Sequence, residues 1–297
     1  SRSSNIACDN CDLLIAVGCR FSDRVATEPS TFAKQAKIVH IDIDRAEIDK
    51  NVKTYHHIIG DAKQVLQMIN ERIPAYQHPA WKEFVFSHRP PAPEESAVLT
   101  PYQIIRTLRD LCPQDSIVAT DVGQHQMWTA QHFEFRQPRT LLTSGGLGTM
   151  GYGLGAAIGA QAAFPDRRVV LVSGDGSFHM NLNELTTLAS YDLPIVVVVM
   201  NNRVLGMVRQ WQKVFYGRRF SATDPHRKTD LVKLAEAFGC TGMRITAAGE
   251  VEPVLRAALE KKGPVLVDCQ ISPDVNVLPM IPPGGTVEDM IEAMDED

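Results

Sequence analysis

The sequence predicts an α/β fold built on parallel sheets, and three observations carry that expectation. Short apolar runs of strand length alternate with stretches of helical spacing, the pattern of successive β-α-β units. The run Pro194-Ile195-Val196-Val197-Val198-Val199-Met200 is apolar on both faces, as a central strand covered on both sides must be. Acids, amides and glycines collect just after such runs, at the strand ends where open parallel sheets hold ligands.

In chain order, Asp12-Leu13-Leu14-Ile15-Ala16-Val17-Gly18 reads as a buried strand closed by glycine. Residues 37–44 read as a second strand and 58–61 as a brief third, with helical spacing following over 62–73. Three strands make a poor sheet alone, so residues 1–75 read as the C-terminal part of a larger α/β domain. Prolines 74, 79, 90, 91, 93 and 101 then predict an interdomain linker over 76–101, with a short helix around 81–87. The alternation resumes over 102–297. It predicts a helix at 102–111, a strand at 116–121 ending in an acid, and a glycine-dense turn leading into a small-residue helix at 155–163. A strand at 168–173, a helix at 178–190, the central strand at 194–200 and a late strand at 263–268 complete the pattern.

The bulk properties fit this reading. The chain has 297 residues, 44% apolar and 22% charged, which suits about two ordinary globular domains. A net charge of −5 with no basic face argues against nucleic acid, and no apolar run is long enough to span a membrane. A chain that opens on Ser1 a few residues before a strand reads as a piece of a longer protein. Of six cysteines, Cys8 and Cys11 form a lone C-x-x-C without the second pair or histidines a zinc site needs; reduced, cytoplasmic thiols are expected. A thioredoxin-like pair is the alternative. The acidic end, 289–297, is expected to be a solvated tail.

The sharpest chemistry lies in Gly174-Asp175-Gly176-Ser177 after one strand and Asn201-Asn202 after the next. Asp175 offers a carboxylate oxygen and Asn202 an amide oxygen, a donor set suited to Mg²⁺ completed by phosphate oxygens and water. Gly176 permits close backbone approach, and Ser177 stands where free N–H groups at a helix start favour a diphosphate. Either piece alone reads as a turn or a helix cap. Together they point to a diphosphate carried on a divalent ion.

That pair resembles the thiamin-diphosphate signature, and its surroundings narrow the likeness. Asp121-Val122-Gly123-Gln124-His125-Gln126-Met127-Trp128, Thr143-Ser144-Gly145-Gly146-Leu147-Gly148-Thr149-Met150-Gly151 and Asn202-Arg203-Val204-Leu205-Gly206-Met207-Val208-Arg209-Gln210-Trp211 resemble the acetolactate synthase family. So do Gly18-Cys19-Arg20-Phe21-Ser22-Asp23-Arg24, His40-Ile41-Asp42-Ile43-Asp44 and Leu278-Pro279-Met280-Ile281-Pro282-Pro283-Gly284, so the likeness runs through nearly the whole chain.

The resemblance implies a doubly wound thiamin-diphosphate domain at 102–297, preceded by the C-terminal part of a flavin-associated middle domain. It implies decarboxylation of pyruvate on thiamin diphosphate and joining to a second 2-ketoacid, pyruvate or 2-ketobutyrate. Asp175, Asn202 and the Val204 carbonyl would bind Mg²⁺. Gln124, His125, Gly174, Gly176 and Ser177 would surround the diphosphate. Gly148, Met150 and Met207 would line the cofactor rings, with Met150 as the wedge that bends it, and Leu205 and Gly206 would also contact the cofactor. Trp211 would shape the second-substrate pocket, and Arg24, Asp42 and Asp61 match the FAD region. A homodimer or homotetramer and a small regulatory subunit are the implied partners. The family's catalytic Glu belongs to an N-terminal domain that no segment here matches, and Glu184 is no substitute, so the chain alone is expected to lack turnover.

Two departures stand out: Gly155 replaces the family's usual Pro, and Ser22 its usual Asp. Other readings remain open on the residues. Gly146-Leu147-Gly148-Thr149-Met150-Gly151 also matches G-x-G-x-x-G, the mark of a nicotinamide dehydrogenase. Within the thiamin enzymes, sulfoacetaldehyde acetyltransferase and 2-ketoacid decarboxylases are neighbours, and a non-enzymatic docking module is a further alternative.

Overall fold

A computed structural model describes residues 1–90 and 97–294. Its organising feature is the pattern of Val169–Gly174 (β6) and Val196–Asn201 (β7), where nearly every residue is buried. Alternate side chains of a strand point to opposite faces, so an unbroken apolar run demands cover on both. Residues 170, 172, 196, 198 and 200 belong to one core cluster, residues 169, 171, 197 and 199 to the other. Helices Pro101–Leu111, Gln124–His132 and Val251–Glu260 contribute to the first, and Tyr152–Ala163, Leu185–Ser190 and Leu231–Ala237 to the second. This is the doubly wound arrangement expected.

Besides β6 and β7, the sheet contains Ile117–Thr120 (β4), Leu141–Leu142 (β5), Thr241–Ile245 (β8) and Val265–Gln270 (β9). Its six strands run parallel in the order β5-β4-β6-β7-β9-β8. The chain steps outward from β4 to β5, then returns past β4 to β6. Strand order therefore reverses at β4 and β6, the switch point at whose carboxyl ends ligands bind in such sheets.

A smaller parallel sheet comprises Leu13–Val17 (β1), Lys37–Asp42 (β2) and His56–Ile59 (β3) in that order. Asp61 caps the following helix, Ala62–Asn70, accepting from the Gln64 N–H at 3.0 Å. The buried strand expected at β1 is only half buried: Ala16 packs inward, whereas Leu13, Ile15 and Val17 are exposed. β1 is the edge of a sheet covered on one face, so its alternate side chains lack a partner layer among the described residues. A helix at Arg2–Asn10, capped by the Ser1 side chain, precedes it and was not expected.

Two compact units result, Ser1–Ala92 with Leu278–Asp297, and Pro93–Val277. The C-terminal segment thus groups with the first unit, where the sequence boundary assigned it to the second. Within that unit, Thr27 Oγ1 donates to Gly285 O at 2.9 Å, Arg2 pairs with Glu292 at 2.7 Å, and Met280 bridges Ile291. The expected solvated tail is therefore tied down as far as Glu292. The expected linker contains the helix Pro79–Ser87, and residues 91–96 of it lie outside the described residues. The helix expected at 178–190 is broken instead into Asp175–Phe178, a turn, and Leu185–Ser190. Among the described residues, no helix is long and apolar enough to cross a membrane.

Gly153 shows how closely helix and sheet pack. A Cβ there would lie 2.7 Å from Leu171 Cδ1 and 2.9 Å from the Asp121 nitrogen. We expect Gly153→Ala to destabilise the chain by about 1–3 kcal/mol through overpacking. An unchanged denaturant midpoint would remove this constraint from the fold.

Candidate functional site

Three strand ends build the site. After β4, the buried Asp121 turns its carboxylate back onto the chain, Oδ1 accepting from the N–H groups of Val122 at 2.9 Å and Gly151 at 2.8 Å. These bonds tie the glycine-rich segment to the β4 tip. Burial pushes the Asp121 carboxyl above its ordinary pKa, and the two donors oppose that shift.

After β6, Ser177 donates its hydroxyl to Val122 O, joining the second strand end to the first. His125 lies against two glycines: a Cβ on Gly174 would be 2.7 Å from its Nδ1, and one on Gly123 would be 2.9 Å from its Cε1. Only glycine permits this approach, and Gly174 is therefore a packing requirement of His125. The imidazole is buried and its Nε2 has no hydrogen-bond partner among the described residues. Such an atom fits a polar group of a ligand seated in the cavity it lines.

After β7, the chain bends through Arg203 at φ 62°, and the Asn202 amide is held at both ends. Its Oδ1 accepts from the Val204 N–H at 3.1 Å, and its Nδ2 donates to Gln124 Oε1 at 3.2 Å. A Cβ on Gly206 would overlap Gln124 Oε1 and come within 2.7 Å of Asn202 Nδ2, so this hydrogen bond requires glycine there.

Asp175 is buried and pairs with Arg227, whose Nη1 donates to Oδ2 at 2.9 Å. Burial raises the Asp175 pKa, and the guanidinium opposes the rise. A buried carboxylate needs a cation beside it, and Arg227 provides one. Neither Arg227 nor Asp121 was among the sequence candidates. Arg227 sits in no motif, and its partner lies far away in sequence. Asp121 was legible as a strand-ending acid, but its anchoring role depends on a contact with Gly151.

These groups surround a cavity of about 280 Å³. It gathers Gln124, His125, Met150, Gly174, Asp175, Gly176, Ser177, Asn202, Val204, Leu205, Gly206 and Met207, which the sequence nominated, with Val122, Gly123 and Trp128, which it did not. Gly148 is not in the lining; it lies behind Val122, 3.9 Å from Val122 Cγ1 to an added Cβ. Trp211 lines a second cavity of about 710 Å³, which shares Met207 and Val208 with the first.

Arg24, Asp42 and Asp61 belong to the other unit and do not gather there. Arg24 lines a separate cavity of about 260 Å³. Asp42 accepts from the Asp44 N–H and Asp61 serves as a helix cap. Cys8 and Cys11 are free thiols, and burial raises the pKa of both.

Among the described residues no three His, Cys, Asp or Glu side chains cluster as metal ligands. A metal held here would instead draw on a mixed oxygen set: the Asp175 carboxylate, the Asn202 amide and the Val204 carbonyl. That set is hard and weakly charged, and it suits Mg²⁺ whose remaining positions are taken by phosphate and water.

The sequence matches the C-terminal TPP binding domain of thiamine pyrophosphate enzymes over residues 121–269, and their central domain over residues 1–69. The chain belongs to the thiamine pyrophosphate enzyme family. It is 43% identical to the acetolactate synthase isozyme 2 large subunit of Escherichia coli, covering 99% of this chain and 54% of that protein. It is 41% identical to the probable acetolactate synthase large subunit of Methanocaldococcus jannaschii, covering 98% and 51%. For the acetolactate synthase large subunit of Parasynechococcus marenigrum the identity is 44%, covering 97% and 48%. The chain spans about half the length of these curated relatives. Family membership sets aside the dehydrogenase reading of Gly146–Gly151, whose preceding strand is only the two-residue β5.

The burial of His125 has a measurable consequence. It pushes the imidazole down to about 3, far below the ~6.5 of an exposed histidine. The unfolded chain therefore binds the extra proton, and stability is lost as pH falls below about 6.5, with no loss from this group above it. The His125 ring resonances should not titrate between pH 5 and 8; an NMR midpoint inside that range would contradict the burial.

Proposed function

We propose that this chain supplies the diphosphate- and metal-binding half of an acetolactate synthase active site. One observation carries the reading: Asp175, Asn202 and Val204 line the same cavity as His125 and Gly174–Ser177, at the switch point of the sheet. When bound, thiamin diphosphate supplies the electron sink for decarboxylating pyruvate and joining it to a second 2-ketoacid.

The protein's part is to bind and orient. Asp175 and Asn202 would hold Mg²⁺ through side-chain oxygens and Val204 through its carbonyl, with the ion replacing the Arg227 guanidinium at Asp175. Gly176 leaves room for the diphosphate, since an added Cβ would already meet Leu205 Cδ2 at 3.1 Å. His125 would meet it as a neutral ring. Met150, Leu205 and Met207 form an apolar wall for the cofactor rings, with Gly148 shaping the loop beside it. Trp211, beyond the shared Met207 and Val208, stands where a second 2-ketoacid would be received.

Among the described residues lining this cavity, Asp175 is the sole acid. With that carboxylate committed to the metal, proton transfer to the cofactor calls for a group outside the lining set. Turnover by these 297 residues alone is accordingly expected to be absent. Arg24, Asp42 and Asp61 would belong to a flavin-associated region of the first unit, where Arg24 lines a cavity of about 260 Å³. The relatives are named large subunits, which supports a small-subunit partner, and six free thiols suit the cytoplasm.

Isothermal titration of thiamin diphosphate into the chain tests the half-site. Binding should require Mg²⁺, vanish in EDTA, and be abolished by Asp175→Ala. Gly206→Ala should weaken it by about tenfold or more by breaking the Asn202–Gln124 contact. Binding that survives both EDTA and Asp175→Ala would sink the metal assignment.

A further inference from the structure

A chain of buried amides runs from the metal candidate Asn202 to a stretch of backbone at residues 275–277. Asn202, Gln124 and Gln210 are all buried. A side-chain amide has nearly the same shape either way round, and only its partners decide which end is oxygen. For Asn202 that choice matters, because a reversed amide would aim N–H groups, not a lone pair, at a cation.

The polarity of the chain is set by backbone, which cannot be reversed. The Val277 N–H donates to Gln210 Oε1 at 2.9 Å, and Gln210 Nε2 donates to Val277 O at 3.0 Å. Turning Gln210 over would face donor with donor and acceptor with acceptor in a buried site. Gln210 Oε1 so fixed accepts from Gln124 Nε2 at 3.0 Å, and that nitrogen also donates to Val275 O at 3.1 Å. Gln124 therefore keeps its oxygen for Asn202 Nδ2, at 3.2 Å. Asn202 Oδ1 is left facing the Val204 N–H at 3.1 Å, with its second lone pair available.

We propose that Gln210 is a positioning residue for the divalent cation, acting through Gln124 to hold the oxygen of Asn202 toward the metal. The inference deepens the metal reading and rests on it. The side-chain amide of Gln124 is thereby engaged by Gln210, Val275 and Asn202. Partners one shell out from a metal commonly hold its ligands in this way.

The test is Mn²⁺ binding to the 297-residue chain in the presence of thiamin diphosphate, read from the free-ion EPR signal. Gln210→Met keeps the volume and removes the amide, and should weaken Mn²⁺ binding about tenfold or more. Combined with Asn202→Asp, the same change should have no such effect, because a carboxylate presents oxygen whichever way it turns. Gln124→Met removes the link between Gln210 and Asn202, and should give the same loss with the same recovery on Asn202→Asp; this second variant decides the matter should Gln210→Met fail to fold.

The proposal is overturned by unchanged binding in Gln210→Met or Gln124→Met, or by equal losses with and without the Asn202→Asp change. Asp175→Asn separates the two levels of the argument. If Mn²⁺ binding ignores that change, the metal reading fails and this inference with it. If binding depends on Asp175 but not on Gln210, only the positioning role fails.

Discussion

The parallel pairing of β6 with β7 is the constraint on which the rest depends. In that ladder Gly174 lies opposite Met200, so the chain leaves both strands at nearly the same level. Asp175 and Asn202, distant in sequence, are consequently delivered to one edge of the sheet. β4 pairs with β6 on the other side, with Thr120 opposite Val172, and adds Asp121 to His125 to that edge. The pairing is held by valines buried on both faces, so residues with no chemistry of their own set the positions of those that have it.

The strand ends are then fastened to each other by polar contacts. Asp121 binds the Gly151 N–H, Ser177 binds Val122 O, and Asn202 binds Gln124. Each joins a segment after one strand to a segment from another, so the cavity is rimmed by loops that share hydrogen bonds. Glycines at 174 and 206 belong to this scheme through the space they leave: His125 occupies one and Gln124 the other. The Asp175–Arg227 pair completes the electrostatics by giving a buried carboxylate a counter-charge.

Much of this was legible in the residues. The β6 and β7 strands were plain because continuous apolar runs have few other uses. The Gly-Asp-Gly-Ser and Asn-Asn segments were plain because short polar motifs just after such runs mark strand ends. Most nominated residues do line one cavity. The failures were of another kind. β1 looked buried because its composition is apolar, yet its outer side chains are exposed at a sheet edge. The helix after Gly174 looked continuous, and it breaks near His179–Asn181, where Asn181 binds Gly151 O. Asp42 and Asp61, matched to the FAD region by resemblance, accept from local backbone N–H groups.

What the sequence by itself determined was the fold class, the strand ends and the placing of Asp175 and Asn202 at them, because these follow from local periodicity and from short polar motifs after apolar runs. Only the tertiary structure decided which side chains face one another across those ends. Arg227 beside Asp175, His125 against Gly174, and Gln210 behind Gln124 are contacts between segments far apart in the chain. No local pattern encodes them, since each depends on the order of strands in the sheet, and that order is settled by burying both faces at once.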